Sequence, residues 1–199
     1  MTAQTARRRR RPLAVLAAVA ALAAAAVALT LAEHSPGRTF PPLVPAVAPA
    51  GWPHLTLPNG TAVLSYPPSR RPASGDTDAV SAAQVSPGGA FRLYLNATPR
   101  QGDEQLGSWT ASRLRLLTAD DAASARQLAA AQGVRFRGGT GSCVIDTYVT
   151  RIGGHHFQEI ACLVQGRTSA SVLVAAAPAA TWAQASPLLL RAVAAYQVR

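Results

Sequence analysis

The chain predicts an α+β fold, an antiparallel β-sheet with helices packed on it. Three observations lead there. Residues 142–164 (SCVIDTYVTRIGGHHFQEIACLV) form two strand-like runs that meet at Gly153-Gly154 and carry the only two cysteines near their far ends. Upstream, Pro58-Asn59-Gly60 and Pro87-Gly88-Gly89 each separate a pair of short β-type runs, as hairpin turns do. Helical spacing of apolar residues is confined to the middle of the chain and its C-terminus. The predicted order is ββ, ββ, αα, βββ, α.

The N-terminal part sets the compartment. Arg7 to Arg11 precede residues 13–32 (LAVLAAVAALAAAAVALTLA). This uncharged run of about 20 residues is enough, at ~1.5 Å per helical residue, to cross ~30 Å of hydrocarbon. Positive charge on the N-terminal flank predicts a cytoplasmic basic arm over residues 1–12, a transmembrane signal-anchor helix over 13–32, and everything after it outside. The alternative is a cleaved signal peptide, for which the apolar run is long and the cut site poor. Residues 33–50 (EHSPGRTFPPLVPAVAPA) are Pro- and Ala-rich and predict an extended linker. Residues 51–199 are left as one extracytoplasmic domain of about 150 residues, long enough to bury its own core.

The formal net charge is +10, but the leader arginines supply five of those charges and all nine acids lie downstream, so the fourteen remaining arginines leave +5. They are scattered, without an aromatic-studded basic stripe, and nucleic acid is not an expected partner. There is no lysine.

Within the domain, His54 to Leu57 and Thr61 to Tyr66 form the first hairpin, ended by Pro67-Pro68. Residues 69–78 (SRRPASGDTD) predict a polar loop in which Arg70-Arg71 either grip an anion or are simply solvated. Ala79 to Ser86 and Ala90 to Ala97 form the second hairpin. Asp103 caps a helix reaching about Leu117, with Leu106, Trp109, Leu116 and Leu117 in one arc. Thr118 opens a second helix, with Asp120-Asp121 in its first turn and Gly133 after its end. Arg135 and Arg137 alternate with Val134 and Phe136 as on an edge strand, and Gly138-Gly139 turn the chain into the central hairpin. Thr168 to Ala177 is a third strand. Thr181 or Ser186 caps the last helix, with Pro187 at its first position.

Two registers are open to the central hairpin. If Cys143 faces Cys162, Ile145 meets Ile160, Thr147 meets Gln158, and the reversal falls at Ile152-Gly153. A directly opposed, non-hydrogen-bonded pair is close enough for a disulfide. A two-residue Gly-Gly turn would instead set Cys143 against Val164 and leave two thiols. An even pair outside the cytoplasm favours the disulfide Cys143–Cys162. No metal site is expected, because His155 and His156 lie roughly 20 Å from the cysteines at ~3.3 Å per strand residue.

In the same register Asp146 faces Glu159. Like charges directly opposed are unfavourable unless a cation sits between them or water screens them. Arg113, in the arc of the first helix, is the candidate cation. The favoured arrangement is that it snorkels outward over a buried stem; the other is that it points at the sheet and forms an ion cluster of Arg113, Asp146 and Glu159.

The LPNGTAVLSYPPSR segment (residues 57–70), a helix after the fourth strand, a meander of three long strands and the closing PLLLRAVAAYQVR helix (187–199) together resemble the PsbP-like α/β/α sandwich. The resemblance spans about Trp52 to Arg199. Members often have an aromatic residue where this chain has Arg70, and lipoprotein members have a lipobox cysteine that is missing here. What the resemblance implies is docking to partners, with no residue roles to carry over.

Without lysine there is no P-loop, no Schiff-base lysine and no Ser-Lys chemistry. GxSxG, HExxH and GxGxxG are also missing. Residues 139–143 (GTGSC) look like a nucleophile loop, but they open a strand and lack the following helix that would stabilise an oxyanion. The expectation is a non-enzymatic binding domain without a cofactor, anchored by a single span in the cell membrane, that takes an envelope protein or a small ligand through its sheet face. The alternatives are a cell-envelope hydrolase using Asp146 and Glu159 as acid and base, and a secreted protein with a structural role in the envelope. For a hydrolase both carboxylates should line an open cleft; for a binding module they should be paired or lie on a flat surface.

Overall fold

The structure, a computed structural model, describes residues 39–73 and 77–199. The basic arm, the expected transmembrane helix and the first residues of the linker lie outside the described residues. Among the described residues no helix is long and apolar enough to cross a membrane.

A small sheet holds β1 (His54–Thr56), β2 (Ala62–Ser65) and β10 (Gln197–Val198), in the order β1-β2-β10. The large sheet holds β3 (Arg71–Ala73), β4 (Val80–Val85), β5 (Phe91–Pro99), β6 (Ala122–Phe136), β7 (Gly139–Thr150), β8 (His156–Gln165) and β9 (Ala170–Pro178). Its order is β3-β4-β5-β9-β8-β7-β6, with every neighbouring pair antiparallel. Two helices pack on it, α1 (Trp109–Asp120) and α2 (Trp182–Ala195), the latter entered through a 3₁₀ turn at Ala179–Thr181. The α+β class, an antiparallel sheet covered by helices, is what is observed.

The central hairpin takes the first register. Cys143 pairs with Cys162, Ile145 with Ile160, Asp146 with Glu159 and Thr147 with Gln158. Residues 151–154 make the turn, with Gly153 and Gly154 at φ 80° and 59°, a conformation that costs residues with a Cβ dearly. The Cys143–Cys162 disulfide forms between Cα atoms 4.1 Å apart.

Four expectations are corrected. Of the predicted second helix, from Thr118 to about Gly133, the start belongs to the end of α1 and everything from Ala122 on is instead part of the 15-residue strand β6, Ala122–Phe136. Alanine's helix preference is a weak prior, and β7 presents a row of backbone donors and acceptors that must be paired. Pairing along β6 slips three times, at Ala122/Ser124, Gln127/Ala129 and Ala131/Val134. Those bulges break the two-residue period that would have betrayed a strand, and Gly133, at φ 66°, sits in the last of them. The first helix begins at Trp109 after Ser108, so Asp103 lies in the preceding loop and caps nothing. Pro187 lies inside α2, not at its first position. Part of the predicted polar loop pairs with β4 as β3.

The described end of the linker also packs. Phe40 and Leu43 lie against the main core, and the Ala46 amide donates to the Ala194 carbonyl at 2.9 Å. At the same side, a Cβ on Gly138 or Gly166 would collide with the Val198 or Arg199 backbone, so these glycines let the C-terminal strand close over the sheet.

The two faces of the large sheet carry separate cores. One holds the disulfide with Leu93, Leu95, Ile160, Val164, Leu173 and Ala175, and is covered by α2 and the small sheet through Leu189, Val193, Tyr196, Leu57 and Leu64. The other holds Val144, Ala161, Leu163, Val172, Val174 and Ala176 under Trp109.

Candidate functional site

On this second face α1 covers only part of the sheet. The segment leading into α1 is tied down by three bonds: the Trp109 indole donates to the Ala161 carbonyl at 3.0 Å, the Ser142 hydroxyl to the Leu106 carbonyl at 2.6 Å, and the Gln132 amide to the Gly107 carbonyl at 3.2 Å. At its other end the helix meets the central hairpin loop. Arg151 donates through its guanidinium to the carbonyls of Thr118 and Ala119, and through its backbone amide to Asp121. A cation on the last carbonyls complements the negative end of the helix. So fixed, α1 stands beside strands β5 and β9, and a cleft of about 770 Å³ remains between them.

The floor of the cleft is Val172, Val174 and Ala176 of β9. Its walls combine Tyr94, Asn96 and Thr98 of β5, Tyr148 and Phe157 of the hairpin, and Arg113 and Leu117 of α1. Tyr148 and Phe157 stack at 5.7 Å, and Phe91 meets Tyr94 edge-on at 5.5 Å. Burial first, and then the Glu159 charge, push the Tyr148 phenol above its ordinary range, so it stays protonated as a donor.

Behind one wall lies the charge cluster. Arg113 does not snorkel: its side chain turns to the sheet, and both Nε and Nη2 reach Glu159 Oε1 at 2.7 Å. The pair is deep, Glu159 being 1% exposed and Arg113 17%. Desolvation, the largest single influence, lowers the Arg113 pKa, but the charge and hydrogen bond of Glu159, with Asp146 and Tyr148, together outweigh it, and the net direction is up.

Asp146, across the ladder from Glu159, is fully buried, and neither of its carboxylate oxygens has a hydrogen-bond donor among the described residues. An ionised carboxylate so placed would be very costly. Burial, followed by the Glu159 charge, pushes its pKa from 3.8 up to about 8, against the opposing pull of Arg113. Neutral Asp146 can donate its own proton to Glu159, and the cluster then balances one cation with one anion.

Two carboxylates meant for glycosidic hydrolysis must reach a substrate and water from two sides. Here Asp146 does not line the cleft, and Glu159, at its edge, is occupied by Arg113. Among the described residues no group of three or more His, Cys, Asp or Glu is placed to hold a metal ion.

Register reasoning from the sequence reaches Asp146 and Glu159, and it names Arg113. It misses Arg151, whose contact with α1 closes over more than thirty residues, and the β5 residues. For the latter a signal exists: Leu93, Leu95 and Ala97 alternate with Tyr94, Asn96 and Thr98, a strand with one apolar and one half-polar face.

Neither a family model nor a curated protein matches the sequence. The chain is similar to the solution structure of cyanobacterial PsbP (CyanoP) from Synechocystis sp. PCC 6803, at 12% identity over 77% of this chain and 96% of that one, with a TM-score of 0.49. It is also similar to the crystal structure of PA94, a protein of unknown function from Pseudomonas aeruginosa, at 12% identity over 72% of this chain and 94% of that one, with a TM-score of 0.45. These likenesses assign no residue a role.

Proposed function

We propose that this chain is a membrane-anchored, extracytoplasmic binding domain, without catalytic activity, that takes a small ligand or a segment of an envelope protein in the cleft between α1 and strands β5 and β9. One observation carries the reading: the cleft is open, with an apolar floor and walls that mix aromatic, amide and charged side chains, Asp120 and Asp121 among them, while Asp146 and Glu159, the facing carboxylates, are sealed or paired. Binding sites are commonly concave, mostly apolar and furnished with a few placed polar groups. The anchor comes from residues 13–32 and the basic arm before them.

Photo-crosslinking in the host tests it. A photoreactive side chain replaces Ile152, which is 90% exposed at the mouth of the cleft, or Arg191 on the outer side of α2 as a control. The expected result is an adduct from position 152 alone, lost when Ala176→Trp fills the floor. Equal adducts from both positions, or turnover of envelope polymers by the full chain that Glu159→Gln abolishes, would overturn it.

A further inference from the structure

On the opposite face, at the β4–β5 turn, a second cleft of about 530 Å³ opens against the first turns of α2. Among the described residues its charged lining is cationic: Arg70 and Arg92 stand there with the amides of Gln84 and Gln184, and Leu93 and Leu188 supply apolar floor. Among the described residues neither arginine forms a salt bridge.

Each arginine is placed in an unusual way. Arg70 spends Nη1 on the Ser69 hydroxyl at 2.8 Å, but its Nε is buried and has no hydrogen-bond partner among the described residues. An unmade bond on a buried charged donor is costly, and native structures rarely tolerate one without reason. Desolvation lowers the Arg70 pKa, with no counter-charge opposing it. Arg92 is the extra residue of a β-bulge: pairing steps from Gln84↔Leu93 to Val85↔Phe91 and leaves Arg92 unopposed. Bulges re-aim a side chain out of the pleat's alternation, and they favour sites where such re-aiming is used. The α2 end at the cleft has the same sign. Neither the 3₁₀ turn nor the helix has an acid in its first turn or a side-chain cap, and the Thr181 hydroxyl donates instead to the Pro178 carbonyl.

We propose that this cleft binds a phosphate ester with a short apolar body, the phosphate held by the Arg70 and Arg92 guanidiniums and the body laid against Leu93 and Leu188. A phosphate monoester carries about −1.5 to −2 at neutral pH and matches two guanidiniums, whereas a carboxylate matches one.

The test uses the full chain in phosphatidylcholine nanodiscs, titrated calorimetrically with hexyl phosphate, inorganic phosphate and hexanoate. Hexyl phosphate should bind one to one and at least tenfold more tightly than either comparison anion. Arg70→Met and Arg92→Met should each weaken it tenfold or more, with Arg191→Met unchanged. Urea midpoints check folding; should Arg70→Met unfold the chain, the exposed Arg92 carries the test alone. No saturable binding, equal binding of hexanoate, or an Arg92→Met chain that binds like the parent would overturn the proposal. Replacing part of the lipid with phosphatidic acid distinguishes the sources. Weakened hexyl phosphate binding would assign the phosphate to a lipid headgroup, and unchanged binding to a soluble ester; either result supports the site.

Discussion

Alternate residues of the same strands build the two faces of the large sheet, and the faces solve opposite problems. On the α2 side, Cys143, Ile145, Ile160 and Cys162 are sealed under a helix and a small sheet, with a covalent bond in place of charge. One residue along each strand, on the α1 side, Asp146 and Glu159 meet across the ladder and depend on an arginine from a helix that leaves part of the face uncovered. An apolar face with complete cover can be stable without choosing a protonation state. A charged face has one, and it also keeps the open cleft.

The largest effect should come from removing the cation paired with Glu159. Arg113→Met leaves Glu159 buried without its partner, beside Asp146, and should cost about 3–5 kcal/mol in urea unfolding. Adding Glu159→Gln to that variant should recover most of the loss; a loss below about 1 kcal/mol for Arg113→Met alone would mean that water screens the pair.

Cutting the disulfide breaks the other face. Its two cysteines are separated by 19 residues, and in the chain-entropy account reduction should cost about 3 kcal/mol. That cost should be the same at pH 5 and pH 8, because the groups around the bond are apolar.

A smaller effect depends on pH. The Asp146 pKa is raised from 3.8 to about 8 on folding, so the folded chain holds a proton that the unfolded chain releases. Its contribution is fully present below the unfolded pKa and is lost as pH rises through the folded one, so stability from this group falls from about pH 4 to about pH 8. Asp146→Asn, which keeps a donor toward Glu159 and cannot ionise, should flatten that slope in urea midpoints taken at pH 5 and pH 8. A slope equal to the parent's would place the titrating group elsewhere.

The smallest effect is expected at the rim. Arg151→Ala removes the cation from the α1 carbonyls and should cost about 0.3–1 kcal/mol. Amide exchange should quicken in the last turn of α1 and not in α2.

What could be read before folding was local or set by pairing. The turn between Thr150 and His155 and the cysteine spacing select one register, and that register places Asp146 against Glu159. The last residues of β6, Val134 to Phe136, read as an edge strand, but residues 122–133 could not be read, because an Ala-rich segment with three bulges has neither a clean period of two nor a strong side-chain preference. Arg113 was ambiguous for a related reason: a long side chain at the border of a helix's apolar arc can turn either way, and only the buried carboxylate beneath it decides.

The sequence by itself determined the α+β class and the antiparallel hairpin, since a two-residue alternation carries that information along the chain; both registers share that alternation, and the cysteine pair favoured the one in which the carboxylates face each other. Tertiary structure alone decided that β6 extends back to Ala122, that Arg113 faces inward, and that two clefts open on opposite faces. Each depends on segments far apart in sequence meeting, where burial and the pairing of backbone groups outweigh local preference.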